Sequence, residues 1–356
     1  AIIVFIWAFT DLGTPLVFGF SRVVPVQIFD SITELNTNPM GYALVVLVLA
    51  LTLSLFLISK RLVAGRRYEM LARGHTSGAE VPATRRQTVL IYAGFGGVIL
   101  LALLPHLAVI GQSFSARWFF SVLPAEWTLD NYREVFRDDL GVLSVRNSLF
   151  YASLSATLDL GLGVLIAWLL TRRRIPLAGL LDALAMLPLA LPGLVLAFGY
   201  VAGFDWPIPW LNPRENPTLL LIVSYSVRRL PYIVRSAYAG LQQTSVTLEE
   251  ASANLGASPW RTLRKITLPL IMANLVGGTI LTFAFAMLEV SDSLILAMRE
   301  QFFPITKTIY ALLGRIEPSA PGVACALGVV GMGILTISLL FAARLLGRRM
   351  GQLFRA

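Results

Sequence analysis

The sequence predicts an all-α integral membrane protein, a polytopic helical bundle with about seven full spans and a partial one at its beginning. Hydrophobic residues make up 56% of the 356 residues and charged residues only 14%. In a soluble domain about a quarter of the residues are charged. Long apolar runs also alternate with short arginine-rich segments, which is typical of spans joined by cytoplasmic loops. A soluble globular protein is therefore excluded.

The net charge of +9 does not indicate a nucleic-acid-binding protein. The basic residues lie in short loops between apolar runs and do not form one stripe or face, so we interpret them as topology signals. The single cysteine, Cys325, lies inside an apolar run. An intrachain disulfide and a cysteine metal cluster are therefore excluded, and we interpret Cys325 as a packing residue.

The predicted spans follow one another along almost the whole chain, since a bilayer needs about twenty helical residues for each crossing. The first run, residues 1–9, is too short to cross and has no charged segment before it, so we expect the severed end of a span. Pro188 and Pro192 predict a kink in the fourth full span. In order, the full spans are 43–59, 88–110, 147–170, 177–203, 217–238, 269–298 and 322–343.

The distribution of arginines predicts which loops face the cytoplasm. Residues 60–87 carry seven lysines and arginines against two glutamates, so we expect a cytoplasmic linker. Segments 113–145, 205–210 and 299–321 are predicted to be external, and the tail 346–356 is predicted to be cytoplasmic. The predicted loops therefore alternate between the cytoplasmic and the external side of the membrane along the chain.

Asp159, Arg228 and Arg229 lie deep within predicted spans, where a charge is costly and usually faces the bundle interior. Asp159 is expected to form a structural pair or to line a transport path. Only about eleven residues, about 17 Å of helix, separate Pro217 from Arg228 and Arg229. Either this span begins nearer Trp206, or the two arginines face a polar cavity; we favour an inward position close to the cytoplasm.

One polar stretch, residues 247–269, stands among the apolar runs. Thr247 and Glu250 predict a capping box, in which the two side chains satisfy the first amides of a helix. Gly256 suits the left-handed position that ends such a helix. Ser258-Pro259 then predicts the N-cap and the first-turn proline of a second helix. The stretch is therefore predicted to be a helix–turn–helix.

This stretch resembles the EAA loop of binding-protein-dependent ABC importer permeases. The family pattern is Glu-Ala-Ala, three residues, Gly, nine residues and Ile-x-Leu-Pro, and the chain departs from it only by a serine for the second alanine. An amphipathic helix pair without a coupling role is the alternative. The residues that the resemblance assigns to an ATPase-coupling loop within 244–269 are Glu250, Ala251, Ser252, Leu255, Gly256, Ile266, Leu268 and Pro269.

An internal repeat explains the short first run. Residues 5–12 align with residues 283–290 at an offset of 278, so that Asp11 meets Glu289, and Gly41 meets Gly322 at an offset of 281. We therefore interpret residues 1–59 as the C-terminal end of a first permease half. Residues 88–345 form the second half, which resembles the type I ABC importer permeases with six spans and the EAA loop between the fourth and fifth. A first half upstream of residue 1, or a second permease copy, is expected to complete the pathway.

The chain itself has no recognisable catalytic site. None of its lysines, Lys60, Lys265 and Lys307, lies in a phosphate-binding loop, and His75 and His106 offer no metal constellation. We expect no enzyme activity, no bound metal and no bound cofactor. The resemblance implies a cytoplasmic ABC ATPase dimer that uses ATP and Mg, a periplasmic or extracellular substrate-binding protein, and a multi-pass location in the lipid bilayer of the bacterial inner membrane.

The resemblance is strongest to the fused two-half ferric iron importers, through residues 187–199, 228–231 and 289–294. Thiamine and aminoalkylphosphonate importers share this design, so they remain alternatives. An ion-coupled secondary transporter would also show repeats and intramembrane charges, but it would not need the EAA loop. The carboxylates of Asp11, Glu289 and Asp292 could attract a hard cation, or they could be solvated groups at helix ends. The candidate residues of the translocation path are Asp11, Asp159, Arg228, Arg229, Glu289 and Asp292.

Overall fold

A computed structural model of the chain describes residues 2–34, 37–64, 83–118, 121–173, 175–204 and 208–353. Most of the predicted linker 60–87, including His75, lies outside these residues. So do residues 205–207 of a predicted external loop and the last three residues of the predicted tail. The described part is almost entirely helical, and the prediction of an all-α membrane protein is confirmed.

The first four helices come before the predicted linker. They are α1 (Ile2–Phe9), α2 (Gly13–Val17), α3 (Val24–Ser31) and α4 (Met40–Ala64). The remaining helices are α5 (Arg85–Ser113), α6 (Asp130–Arg137), α7 (Asp139–Arg172), α8 (Ala178–Met186), α9 (Gly193–Gly203), α10 (Thr218–Gln243), α11 (Thr247–Asn254), α12 (Pro259–Thr262), α13 (Leu268–Leu270), α14 (Met272–Met287), α15 (Ser291–Leu296), α16 (Ile305–Leu313) and α17 (Ala320–Leu353).

The predicted external stretch 113–145 contains more structure than a loop. Strands β1 (Ser115–Arg117) and β2 (Glu126–Trp127) pair in antiparallel fashion, and α6 follows them. The Asn131 side chain donates hydrogen bonds to the carbonyls of Ser113 and Ser115, at 3.0 and 2.9 Å, and so fixes α6 against the end of α5. Asp138 caps α7, which begins eight residues before the predicted span start at 147, so the helix extends beyond the predicted span.

Two predicted spans are broken. The span 177–203 consists of α8 and α9, which meet at an angle of 99° across a 3-10 turn at Leu187–Ala190. Pro188 and Pro192 lack amide donors, so a continuous helix cannot pass through this turn. The prediction of a kinked single helix is therefore wrong. The predicted span 269–298 likewise ends early, because α14 stops at Met287 and a separate α15 follows.

Six of the seven predicted spans correspond to candidate spans of the described residues when each bent pair counts once. Four helices of the described part are long and apolar enough to cross a membrane, and two bent pairs raise the number to six. The fifth predicted span, α10, has 26 residues but carries three arginines, which lower its hydropathy. With α10 the total is seven. Helix α10 packs against α7 and α14 and lies at the centre of the bundle.

The helix boundaries follow the internal repeat. Helix α1 ends at Phe9, and α14 ends 278 positions later at Met287. Helix α2 begins at Gly13, and α15 begins 278 positions later at Ser291. Helices α3 and α16 also begin at equivalent positions under the offset of 281. The breaks in the chain therefore recur at the same places in both copies of the repeat.

Candidate coupling loop and charged site

The coupling loop begins without the predicted capping box. Helix α11 starts at Thr247, but its N-cap position is Val246, and no side chain caps it there. The hydroxyl of Ser245 accepts a hydrogen bond from the Thr247 amide at 3.3 Å and lies 2.7 Å from the Thr247 hydroxyl. The Glu250 side chain is exposed. The capping-box prediction is wrong because Ser245 accepts from the Thr247 amide, which the Glu250 side chain was expected to bind, and the Glu250 amide donates to the Val246 carbonyl at 3.0 Å instead of to Thr247.

The turn of the loop has the predicted geometry. Gly256 has φ +79°, the left-handed conformation, which a residue without a Cβ adopts at little cost. The Gly256 amide donates to the Ala253 carbonyl at 2.9 Å, and the Ala257 amide donates to the Ser252 carbonyl at 3.1 Å. These two bonds form a Schellman motif, which ends α11 and reverses the chain.

The two short helices of the loop are tied together. Ser258 caps α12 by accepting a hydrogen bond from the Arg261 amide at 3.4 Å, and Pro259 occupies the first turn, as predicted. The hydroxyl of Ser252 lies 2.9 Å from that of Thr262, and both residues are buried. The serine that departs from the family pattern therefore joins α11 to α12. The loop is a stiff hairpin.

One face of α11 is apolar and exposed. Leu248, Ala251 and Leu255 recur at helical spacing, and all three lie on the surface, Leu255 with 89% of its area exposed. We call these three residues the coupling face. The other predicted loop residues lead into α14: Ile266 lies in a π-helical turn, Leu268 begins α13, and Pro269 is its second residue. The helical unit Pro259–Leu270, which includes α12 and α13, meets α14 at an angle of 76°.

The two intramembrane arginines pair with carboxylates after α14. Arg228 Nη1 lies 2.6 Å from Glu289 Oε2 and 3.6 Å from Asp292 Oδ2. Arg229 pairs with the same Glu289 oxygen and donates to the Phe285 carbonyl at 2.8 Å. Glu289 is 5% exposed, so two cations stabilise its charge in a place that water barely reaches. Because α10 begins at Thr218, the alternative of a span that starts nearer Trp206 is wrong.

Further hydrogen bonds fix α15 to α10. The Ser224 hydroxyl donates to Asp292 Oδ2 at 2.7 Å, and the Tyr225 hydroxyl lies 2.6 Å from that of Ser293. Asp292 is fully buried. The broken segment after α14 is thus held in one position by charge and by hydroxyl groups.

Asp159 belongs to a separate pair. It is fully buried on α7 and accepts a hydrogen bond from the Ser226 hydroxyl of α10. It is not among the residues that line the polar cavity described next. The structure therefore places Asp159 in a contact between two helices, which is the structural pairing that the sequence left open.

A cavity of about 260 Å³ lies beside the arginine–carboxylate cluster. Asp11, Arg228, Arg229 and Glu289 line it, whereas Asp292 lies behind it. Repeat partners face each other across the cavity: Trp7 and Phe285, which are 278 positions apart, make an edge-to-face ring contact at 6.3 Å. A residue that contacts its own equivalent lies close to a two-fold axis. The cavity therefore lies between the two copies of the repeat.

Arginines pair with two of the carboxylates that were considered as cation ligands. No group of three or more His, Cys, Asp or Glu side chains suited to a metal ion occurs among the described residues. Glu289 and Asp292 already face Arg228, so only Asp11 of the three carboxylates considered above has no arginine partner among the ion pairs of the described residues. His106 contacts the Ala102 carbonyl of its own helix at 3.1 Å, and Cys325 is half-buried on α17.

The sequence did not reveal two residues beside the coupling loop. Glu249, not the motif residue Glu250, is held by other side chains, and its partner is Arg172 at 3.1 Å. Arg172 opens the run of three arginines after a predicted span, which we interpreted only as a topology signal. The position of Arg172, at the junction between a predicted span and a cytoplasmic loop, was the signal that could have indicated this contact.

Comparison with known proteins identifies the family. The family described as "Binding-protein-dependent transport system inner membrane component" matches residues 160–352, which is more than half of the chain. The chain belongs to this family. The matched part of the permease contains α10, the coupling loop and the charged cluster. The family expected from the EAA loop is thereby confirmed.

Named relatives include permeases for several substrates. A ferric transport system permease protein of Actinobacillus pleuropneumoniae is 29% identical over 350 residues, which cover 96% of this chain and 49% of the relative. A putative ferric permease of Haemophilus influenzae is 31% identical over 300 residues, 82% of this chain and 46% of the relative. A sulfate permease of Escherichia coli is 32% identical over 193 residues, 52% of this chain and 66% of the relative. This permease thus spans about half the length of the ferric relatives.

A solved structure supports the fold. The crystal structure of a bacterial ABC transporter for alginate import aligns with a TM-score of 0.57 at 17% identity, covering 74% of this chain and 96% of that chain. At this identity the likeness concerns the fold alone.

Proposed function

We propose that this chain is the transmembrane permease of an ATP-driven ABC importer, and that it has no enzyme activity of its own. The coupling loop carries the proposal. Its coupling face protrudes from a stiff hairpin and exposes apolar side chains, which a soluble surface rarely does without a partner. An amphipathic helix of this kind fits an apolar groove on another protein. We assign that groove to a cytoplasmic ATPase dimer, which would bind ATP and Mg.

The coupling loop leads to the charged cluster through α14. The π-helical turn and Pro269 connect the hairpin to α14, whose 16 residues extend about 24 Å. Glu289 follows directly after α14 and pairs with the arginines of α10. A displacement of the hairpin would therefore act on the ion pairs at the far end of α14. This is how ATPase closure would change the shape of the pathway.

The cavity between the repeat partners is our candidate for the translocation path. Asp11, Arg228, Arg229 and Glu289 line it, and Asp292 pairs with Arg228 behind it, whereas Asp159 lies outside it in the contact with Ser226. In the structure the arginine–carboxylate pairs occupy one wall of the cavity. Alternating access would separate or reform these pairs as the two halves rock. The other half would come from residues upstream of this chain, with residues 1–59 as its end and 60–87 as the linker, or from a second permease copy.

Ferric iron is the substrate that we propose. The relatives named for ferric transport match 96% and 82% of this chain, whereas two sulfate permeases match 52% and 70% and a polyamine permease matches 75%. No cluster for tight iron binding occurs among the described residues, so an external binding protein would carry the ion and release it into the pathway. Thiamine and aminoalkylphosphonate remain alternatives, and molybdenum and polyamine permeases are also among the relatives. The bacterial inner membrane is the proposed location.

Substrate selection is tested with the protein that contains both halves, its ATPase and its binding protein in liposomes. Ferric-loaded binding protein should raise ATP hydrolysis and iron uptake. Sulfate, thiamine and aminoalkylphosphonate, each offered with the same binding protein, should raise neither ATP hydrolysis nor uptake. Leu255→Ser is the matched variant, because it removes one exposed apolar side chain from the coupling face and leaves the cavity unchanged. Equal stimulation by sulfate, or full activity of Leu255→Ser, would contradict the proposal.

A further inference from the structure

Arg172 joins three helices and the coupling loop at a single side chain. It is the last residue of α7, and its side chain is only 7% exposed. Its Nε donates to Glu249 Oε1 of α11 at 3.1 Å. Its Nη2 donates to the carbonyls of Leu241 and Thr244, at 3.0 and 3.1 Å, and to the Thr244 hydroxyl at 2.9 Å. One guanidinium thus binds both the end of α10 and the start of the loop.

The same glutamate oxygen extends the network to α14. The Thr267 hydroxyl donates to Glu249 Oε1 at 3.2 Å, and Thr267 is the last residue of the π-helical turn before α13 and α14. Arg172 therefore reaches the segment before α13 and α14 through a single intermediate side chain. The ends of α7 and α10 and the segment leading into α14 are connected to the loop within one buried cluster.

The chemistry of the cluster requires an arginine. A guanidinium is planar and presents five donors in fixed directions, whereas a lysine ammonium is one compact charge on a flexible stem. Nε and Nη2 of Arg172 point to acceptors on two different segments. The carbonyls at the C-terminal end of α10 carry the negative end of its dipole, which also favours a cation there. A lysine at position 172 would keep the charge and lose the bridging geometry.

The neighbouring arginine serves as an internal comparison. Arg173 is exposed, and its guanidinium lies 4.9 Å from the centre of the Trp168 ring on its own helix. It has the same charge and nearly the same position along the chain. Any effect that arises from positive charge at this end of α7 would therefore apply to both residues.

We propose that Arg172 is a positioning residue for coupling, which holds α11 rigidly against α7, α10 and the segment before α14. This inference rests on the proposed function, because it assigns to Arg172 the transmission of the ATPase movement. Without this clamp the hairpin would still bind the ATPase, since the coupling face faces away from it. The hairpin would then move without carrying the helices along. The predicted defect is uncoupling, with ATP hydrolysis maintained and transport lost.

The test compares Arg172→Gln, Arg172→Lys and Arg173→Gln in the complete transporter with ATPase and binding protein. A cysteine at the exposed position 254, beside the coupling face, in a background that lacks Cys325, reports contact with the ATPase by cross-linking. In both Arg172 variants we expect uptake per ATP hydrolysed to fall about tenfold, with an unchanged cross-link yield. Arg173→Gln should behave as the unmodified protein does.

Glu249→Gln separates a coupling role from a folding defect, because it leaves the bonds between Arg172 and α10 in place. It should lower uptake per ATP, and the double variant Arg172→Gln/Glu249→Gln should be no worse than Arg172→Gln alone. Normal uptake per ATP in Arg172→Gln, an equal loss in Arg173→Gln, or a cross-link yield that falls with uptake would each overturn the proposal. If the unmodified complex shows no binding-protein-dependent ATP hydrolysis, the proposed function fails instead.

Discussion

The turn at Gly256 allows a prediction whose magnitude follows from the structure. In Gly256→Val the residue must keep φ +79° for the hairpin to close. A Cβ at this position would meet nothing within 4 Å, so the cost comes from the backbone and not from a steric clash with neighbours. The left-handed conformation costs a residue with a side chain about 1–2 kcal/mol, and a β-branched residue is least tolerated there. A cost of about 2 kcal/mol lowers the population of the closed hairpin roughly thirtyfold relative to open forms.

The assay is uptake and binding-protein-stimulated ATP hydrolysis in liposomes with equal amounts of inserted permease. Both rates should fall strongly in Gly256→Val. Gly256→Asn is the control, because asparagine visits the left-handed region much more readily. Its rates should lie close to those of the unmodified protein. If the valine variant transports at the normal rate, or if the asparagine variant is equally impaired, the left-handed turn is not what positions the coupling face.

Two further predictions concern stability and topology. Glu289→Gln removes the charge that the buried Arg229 and the partly buried Arg228 share, and breaking such a buried pair costs about 3–5 kcal/mol. The midpoint of thermal unfolding in detergent should fall clearly, whereas Glu300→Gln, at an exposed position, should leave it unchanged. An equal midpoint in both variants would mean that the pair is not stabilising. Single cysteines at position 255 should be labelled only from the cytoplasm, and those at the exposed positions 125 and 316 only from outside. Labelling from the opposite side at any of them would invalidate the topology.

The parts that the sequence predicted well depend on short-range rules. Gly256, Ser258 and Pro259 act within a few residues of themselves, and each takes the expected conformation. The capping box failed because a competing hydroxyl, that of Ser245, lies two residues upstream. Local patterns therefore predict the shape of the loop but do not decide between neighbouring polar side chains.

The parts that the sequence could not predict depend on distant contacts. Arg228 and Glu289 are about sixty positions apart, and no periodic pattern connects them. The cost of a charge in an apolar span predicts that each needs a partner, but not which one. Likewise, composition does not distinguish a kinked span from the 99° break between α8 and α9. The internal repeat contained a signal that we did not use, because its offset relates the helix breaks of one copy to those of the other.

The central claim is that ATP hydrolysis, coupled through the loop, drives uptake of substrate delivered by a binding protein. It is tested most directly by iron uptake into liposomes that contain the two-half protein and its ATPase, with ferric-loaded binding protein outside and ATP inside. We predict uptake that stops when ATP or the binding protein is omitted and continues when ion gradients are collapsed. Uptake that persists without ATP and stops when the gradients are collapsed would contradict the account and indicate an ion-coupled transporter.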